Sequence, residues 1–313
     1  MAQPSTLGAA GHAVIVGCGI MGCDIAALFL SGGWDVTAVE PDRDSWPSRC
    51  ERVDASRRQL ASDRQEHAQL TLVETVGQVD YGSVAVVIEA APEQIELKRR
   101  LFRELDALVP STVPIASNAS ALRITDIAEG CRTKHRMANL HFFMPAHLVP
   151  GVEVVRGEMT DADTCDRLAD IMASLGHKPI RVARDVPGFL ANRIQHALMR
   201  EAWAVIDEGL ASPDDVDMAV RYAFGFRYIS AGPILQKELA GLDPHLMAAR
   251  TIYPTLCNDD QPSALLSRLV SENKLGAKTG QGLREWPPER IRDEQARSER
   301  LLLAASRLLR DEG

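Results

Sequence analysis

His12-Ala-Val-Ile-Val-Gly17-Cys-Gly19-Ile-Met-Gly22 opens a stretch, residues 12–42, that closes on Val36-Thr-Ala-Val-Glu40-Pro-Asp42. An apolar run, Ala13 to Val16, meets glycines spaced G-x-G-x-x-G. A helical pattern follows (Ile20, Ile25, Leu28, Phe29). A second apolar run, Val36 to Val39, ends on Glu40. Gly17 permits a tight strand-to-helix turn, Gly19 lets backbone approach a pyrophosphate, and Gly22 lets the helix pack close on the strand. Ile20 and Met21 complete the first turn, whose free N–H groups and dipole hold the phosphate. Glu40 sits where an acid accepts hydrogen bonds from an adenosine ribose, which favours NAD over NADP. A lone glycine triplet is weak evidence. Strand, triplet, helix, second strand and terminal acid in that order specify a dinucleotide site.

Composition bounds the rest. A chain of 313 residues can bury a large core, and its length suggests about two domains. With 45% hydrophobic and 25% charged residues it reads as an ordinary soluble globular protein. A formal net charge of −8 argues against a nucleic-acid partner. No apolar run approaches the ~20 residues of a membrane span. The start, 1–11, has neither a basic and apolar leader nor an Arg-rich transit pattern, so the expected location is cytoplasmic. The six cysteines are scattered without C-x-x-C, so neither a metal site nor a disulfide framework is expected. Cys18, inside the glycine turn, reads as a tolerated small residue that is also open to oxidation.

The first half alternates short apolar runs with helical patterns. Strands are expected at 13–17, 35–39, 84–89, 113–116, 137–143, 151–155 and 179–183, with helices near 20–31, 41–66, 93–108 and 161–175. That alternation predicts an α/β fold, a Rossmann-type, mainly parallel doubly wound sheet. After Asp185 only helices are expected, near 188–208, 213–224, 243–254, 262–273 and 288–310. Ser212-Pro213 supplies a cap followed by proline at the first helical position. The expected domains are 1–184, binding NAD, and 185–313, all-helical and serving substrate and dimerisation.

Several polar residues fall near strand ends: Glu93 and Lys98, Asn118 and Ser120, His141, and Glu153 on the following strand. In an open α/β sheet, ligands bind outside the carboxyl ends of the strands. A His there with a Glu behind it can act as general base, the Glu stabilising the imidazolium. Oxidation of an alcohol by NAD needs such a base. Ser120 is equally well placed to cap a helix near Leu122, and Lys98 to be a plain helix-face charge. His147 stands close after the same strand, with no role assigned.

The sequence resembles the 3-hydroxyacyl-CoA dehydrogenase family over nearly its whole length. The resemblance rests on the G-x-G-x-M-G turn, Ser117-Asn118-Ala119-Ser120, His141-Phe142-Phe143-Met144-Pro145, Val152-Glu153-Val154 and Pro187-Gly188-Phe189-Leu190-Ala191-Asn192-Arg193. It implies that His141 is the catalytic base and Glu153 its partner. Ser120 and Asn192 would bond the substrate oxygen, and Glu93, Lys98 and Asn118 would line the cofactor site. It also implies a helical second domain that commonly dimerises, and NAD-linked interconversion of a 3-hydroxyacyl-CoA and its 3-keto form, as in fatty acid metabolism.

The chain departs from that pattern in places. Met144 stands where the family usually has Asn, and thioether cannot replace an amide's donors. Residues 41–80 hold no lysine to grip CoA, although arginines 43, 49, 52, 57, 58 and 64 can bind phosphate. Glu201-Ala202-Trp203, Ser212-Pro213-Asp214 and Phe224-Gly225-Phe226-Arg227-Tyr228 are similar to the L-gulonate 3-dehydrogenase (lambda-crystallin) and L-carnitine dehydrogenase branch, which oxidises free 3-hydroxy acids. Arg227 is then a candidate for a substrate carboxylate, or a helix-end charge. A free 3-hydroxy acid is the alternative substrate, and a non-catalytic NAD(H)-binding structural or sensor protein the alternative of another class.

Overall fold

The computed structural model describes residues 11–60 and 68–311. They form two compact units that divide after Asn192. The first is an eight-stranded sheet with helices on both faces. Its strands are β1 (His12–Val16), β2 (Asp35–Val39), β3 (Leu70–Val73), β4 (Val84–Glu89), β5 (Ile115–Ser117), β6 (Met137–Phe142), β7 (Gly151–Val155) and β8 (Lys178–Val182). The order is β3-β2-β1-β4-β5-β6-β7-β8. All neighbours run parallel except β6 and β7. Strand order reverses beside β1, which makes the crevice outside the ends of β1 and β4 the switch point where ligands bind.

Side chains alternate between two cores. Ala13 and Ile15 of β1 pack with helix α1 (Ile20–Ser31), whereas Val14 and Val16 point to the opposite core. On β6, Ala138, Leu140 and Phe142 join the α1 core. Asn139 and His141 therefore face the other way, the consequence of a period of two. That second core holds Phe102 and Leu105 of α3 (Ile95–Leu108) and Ile124 and Ile127 of the short α4 (Ile124–Ile127). α2 (Trp46–Leu60) follows a 3-10 turn at Arg43–Ser45. The helix expected over 41–66 therefore starts five residues later, and 61–66 lie outside the described residues. α5 (Ala162–Ser174) ends before Gly176, whose φ of +81° stops it.

The second unit is helical. α6 (Ala191–Asp207) begins at the end of the first unit and stops at Gly209, with φ +68°. α7 (Pro213–Ala219) starts as its signal requires: Ser212 Oγ accepts from Asp215 N–H at 3.1 Å. A π-helical turn, Val220–Phe224, and α8 (Gly225–Arg227) continue it. Then come α9 (Pro233–Ala240), which the sequence reading did not anticipate, α10 (Leu242–Ile252), α11 (Ala264–Ser271) and α12 (Pro288–Asp311). Among the described residues of this unit Ser306 alone is buried, and its helices leave large apolar side chains exposed, Leu239 at 77% and Met247 at 71%. No helix among the described residues is long and apolar enough to cross a membrane.

Candidate active site

The glycine turn has the geometry its sequence implies. Gly17 sits at φ +97°, and a Cβ there would lie 2.9 Å from the Ala90 carbonyl. A Cβ on Gly22 would stand 1.9 Å from the Gly17 oxygen, so the first turn of α1 needs glycine to touch the turn. At Gly19 an added Cβ meets nothing within 4 Å. Backbone is open on that side, where a pyrophosphate would take the N–H groups at the start of α1. Ile20 is exposed beside it, and Met21 packs partly on the core. At the end of β2, Glu40 accepts from Asp42 N–H at 3.1 Å, 3.7 Å from Arg49. The residues present thus fit a dinucleotide.

A buried polar cluster shapes the next strand ends. Glu89, the last residue of β4, accepts from Lys98 Nζ at 2.7 and 2.9 Å, from Ser117 Oγ at 2.6 Å and from Ala91 N–H at 2.7 Å. Lys98 is 1% exposed and also donates to the Ala91 carbonyl at 3.1 Å. Its ammonium faces inward and holds the turn after β4. Glu93 is 3.6 Å from the same ammonium, and its Oε1 accepts from the N–H groups of Ser120, Ala121 and Leu122 at 3.0, 3.1 and 3.4 Å. One carboxylate therefore fixes the loop that carries Ser120.

Two asparagines tie that loop to β6. Asn118 Oδ1 accepts from Phe142 N–H at 2.9 Å. Asn139 Oδ1 accepts from Ile124 N–H at 2.8 Å and its amide donates to the Leu122 carbonyl at 3.2 Å. α4 starts at Ile124 with Arg123 in the cap position, so Ser120 caps no helix. Asn192 Nδ2 donates to the Ser120 carbonyl at 3.3 Å, which brings these two predicted residues together.

His141 lies one residue from the end of β6. The antiparallel register sets Glu153 of β7 directly opposite, so the two side chains share a face. His141 Nδ1 and Glu153 Oε2 are 2.7 Å apart, both buried. The other carboxylate oxygen accepts from the N–H groups of Leu190 and Ala191 at 3.0 and 2.8 Å. Burial pushes the Glu153 carboxyl up, but the His141 bond and the two backbone donors outweigh it and hold the group below the usual carboxylate range. Phe143 and Phe189 wall the imidazole edge-on, centroids 4.7 and 5.6 Å away. Phe189 holds φ +49°, a left-handed conformation uncommon outside glycine that marks a constrained site. Arg227 ends α8 in the second unit, exposed.

Glu89, Ser117, Asn139 and Phe189 were not singled out by the sequence reading. Glu89 carried a usable signal, an acid closing an apolar strand just before a helix that bears Lys98. Ser117 and Phe189 stood inside quoted motifs and Asn139 two residues before one, yet only the tertiary structure shows what they support.

The model of the 3-hydroxyacyl-CoA dehydrogenase NAD binding domain matches residues 12–186, and that of the family's C-terminal domain matches 188–286. The chain belongs to the 3-hydroxyacyl-CoA dehydrogenase family. Members are NAD-dependent dehydrogenases acting on hydroxyl groups, and the sheet and helical unit match the fold expected from the sequence. Among relatives, the 5-formyl-3-hydroxy-2-methylpyridine 4-carboxylate 5-dehydrogenase of Mesorhizobium japonicum is 32% identical over 304 residues, covering 94% of this chain and 97% of the relative. A solved structure of an enzyme of that name, described as an NAD+ dependent dismutase, gives a TM-score of 0.91 at 29% identity, covering 96% of this chain and 99% of that one. The (S)-3-hydroxybutyryl-CoA dehydrogenase of Ralstonia eutropha gives 0.71 at 30% identity, covering 89% and 100%.

Proposed function

We propose that this chain takes hydride from the carbon and a proton from the hydroxyl of a CH–OH group in a small carboxylate-bearing molecule, with His141 Nε2 as general base. The observation that carries the chemistry is the buried 2.7 Å contact between Nδ1 and Glu153, which leaves Nε2 for the substrate hydroxyl. Bound NAD+ supplies the hydride acceptor. His141 takes the O–H proton, and the Glu153 carboxylate stabilises the imidazolium so formed. The Ser120 hydroxyl and the Asn192 amide orient the oxygen. Glu93 holds the Ser120 loop, and Asn118 holds the end of β6 beside His141. In reduction His141 returns the proton to the carbonyl oxygen. A hydrated aldehyde presents the same H–C–O–H atoms as an alcohol, and its oxidation gives a carboxylic acid.

Two observations support a small free acid. One is the likeness, at a TM-score of 0.91 over nearly all of both chains, to an enzyme named for a formylpyridine carboxylate. The other is Met144, 67% exposed, which offers only a weak acceptor where the family usually has an amide. A second reading, oxidation of a 3-hydroxyacyl-CoA, draws support from the His141-Phe142-Phe143 run and from Lys278-Thr279-Gly280-Gln281-Gly282, both of which look more like the acyl-CoA enzymes than the free-acid branch. The His141–Glu153 pair argues against a purely structural NAD(H)-binding role. We also infer a homodimer built through the second unit, whose apolar helix faces have little core of their own to cover them.

The test is NADH formation on a formylpyridine carboxylate, free 3-hydroxybutyrate and 3-hydroxybutyryl-CoA, for wild type and His141→Ala. Turnover of a free acid is expected, with His141→Ala at least ~100-fold slower. Turnover of the thioester alone would install the second reading. Tight NADH binding without turnover of any of the three would sink the catalytic one.

A further inference from the structure

Two thiols meet beneath the cofactor turn. Cys18 lies between Gly17 and Gly19, and Cys23 in the first turns of α1. Their Sγ atoms are 3.6 Å apart, and both side chains are fully buried. As a thiol, Cys23 donates to the Cys18 carbonyl at 3.2 Å. The Cys18 S–H can instead donate to a Cys23 thiolate. Burial and Asp24 oppose that thiolate, but the Cys18 bond and the Arg49 and Arg52 cations of α2 outweigh them and draw the Cys23 thiol below its usual range. The same pairing pushes the Cys18 thiol up. Two thiols in hydrogen-bond contact can thus share one proton, leaving a thiolate beside a proton-bearing neighbour.

We propose that Cys18 and Cys23 form a reversible disulfide under a peroxide-class oxidant, and that this modification switches off NAD binding. In the first step the Cys23 thiolate attacks a peroxide oxygen, giving a sulfenic acid and, from hydrogen peroxide, one water after proton uptake. In the second the Cys18 sulfur displaces the sulfenic oxygen as a second water and the S–S bond forms. Two thiols are oxidised by two electrons, and the peroxide is reduced to two waters.

The turn converts that bond into a loss of affinity. The sulfurs must close from 3.6 Å to about 2.05 Å. The helix side has little slack, because α1 already touches the turn where a Cβ on Gly22 would stand 1.9 Å from the Gly17 oxygen. The shift falls on the Cys18 peptide and the Gly19–Ile20 backbone that follows, where the phosphate is held. Gly19 borders open space on that side. A bound pyrophosphate would hold this turn closed over the two buried sulfurs, so the cofactor protects the pair.

The experiment exposes the full-length protein to hydrogen peroxide and follows mass and NAD+ affinity together. Trypsin leaves residues 1–43 as one peptide, since no Lys or Arg precedes Arg43. That peptide is expected to lose two hydrogens and both alkylatable thiols. The Kd for NAD+, read by calorimetry, is expected to rise at least ~10-fold and to recover with dithiothreitol. Saturating NAD+ should prevent both changes. Cys23→Ala and Cys18→Ala should each keep their untreated Kd under peroxide; should one fail to fold, the other and the wild-type mass shift still decide. Cys50→Ala, altered on the neighbouring helix, should respond as wild type does. Two thiols that stay alkylatable, a Cys23–Cys50 link, or a Cys18–Cys23 disulfide with unchanged Kd would overturn the proposal.

Discussion

In the proposed reaction His141 serves as base by virtue of what stands behind it. A carboxylate on Nδ1 fixes the tautomer that leaves Nε2 free to accept a proton. Glu153→Gln tests this. The glutamine oxygen can still take the Leu190 and Ala191 N–H groups, but its amide then donates to Nδ1 and moves the ring proton to Nε2. We expect turnover to fall at least ~100-fold with little change in NAD+ affinity. The same carboxylate affects stability. Its folded pKa lies below the unfolded value, so its contribution is complete above roughly pH 4–5 and is lost as pH falls through the folded value. Wild-type stability should drop with acid below that window, and the drop should be shallower in Glu153→Gln; an identical slope in thermal melts would contradict the assignment. Asp24 and Asp106, also held below the ordinary range, share the remainder. At this scale the sequence was informative where a residue type carries the chemistry. His141 and Glu153 were legible as candidates for base and partner acid, but their pairing depends on an antiparallel register that apolar runs do not encode. Lys98 was legible as a cation but not in its direction, because a helix-face lysine and one folded inward onto Glu89 look alike in one dimension.

The elements differ in how plainly they announce themselves. The glycine turn is legible because the backbone excludes a side chain at 17 and 22 and the approach of a ligand disfavours one at 19, and the demands can be separated. Gly19→Ala should leave the melting temperature near wild type and weaken NAD+ by ~10-fold or more, since its Cβ projects only toward the ligand side. Gly22→Ala should destabilise the fold itself, because its Cβ meets backbone at 1.9 Å. Equal melting temperatures for the two variants would refute that division. β3 went unread because it is a four-residue, half-exposed edge strand with no clean alternation. α9 was missed despite proline at its first position, because its eight residues are largely exposed and show no buried stripe. The cluster under β4 predicts a further outcome. Lys98→Met leaves Glu89 buried without its cation and should cost about 3–5 kcal/mol in denaturant unfolding. Adding Glu89→Gln should recover part of that loss, and no recovery would argue that Lys98 acts through packing alone.

The molecule as a whole joins a unit with two full cores to one that buries almost nothing by itself. Fold class and the sheet-to-helix change were legible here, since the strand alternation stops after Asp185. Which helix faces lack cover was not, because an amphipathic period looks the same whether its apolar side meets the same chain or another. We expect a particle of twice 34.2 kDa by light scattering, with unfolding that depends on protein concentration. Leu239→Glu with Met247→Glu should shift it toward a monomer of lower stability; a monomeric wild type would remove the basis for the dimer.

Those uncovered helix faces also bear on how such a protein can change over time. In a two-fold assembly each side chain on the shared surface occurs twice, once in each copy. A single nucleotide change there is felt at two places in one particle, so its benefit or harm is doubled. A change in the nucleotide-binding half acts only once per active site. The second unit would therefore evolve in larger energetic steps than the first, with fewer neutral substitutions open to it and a sharper response to each.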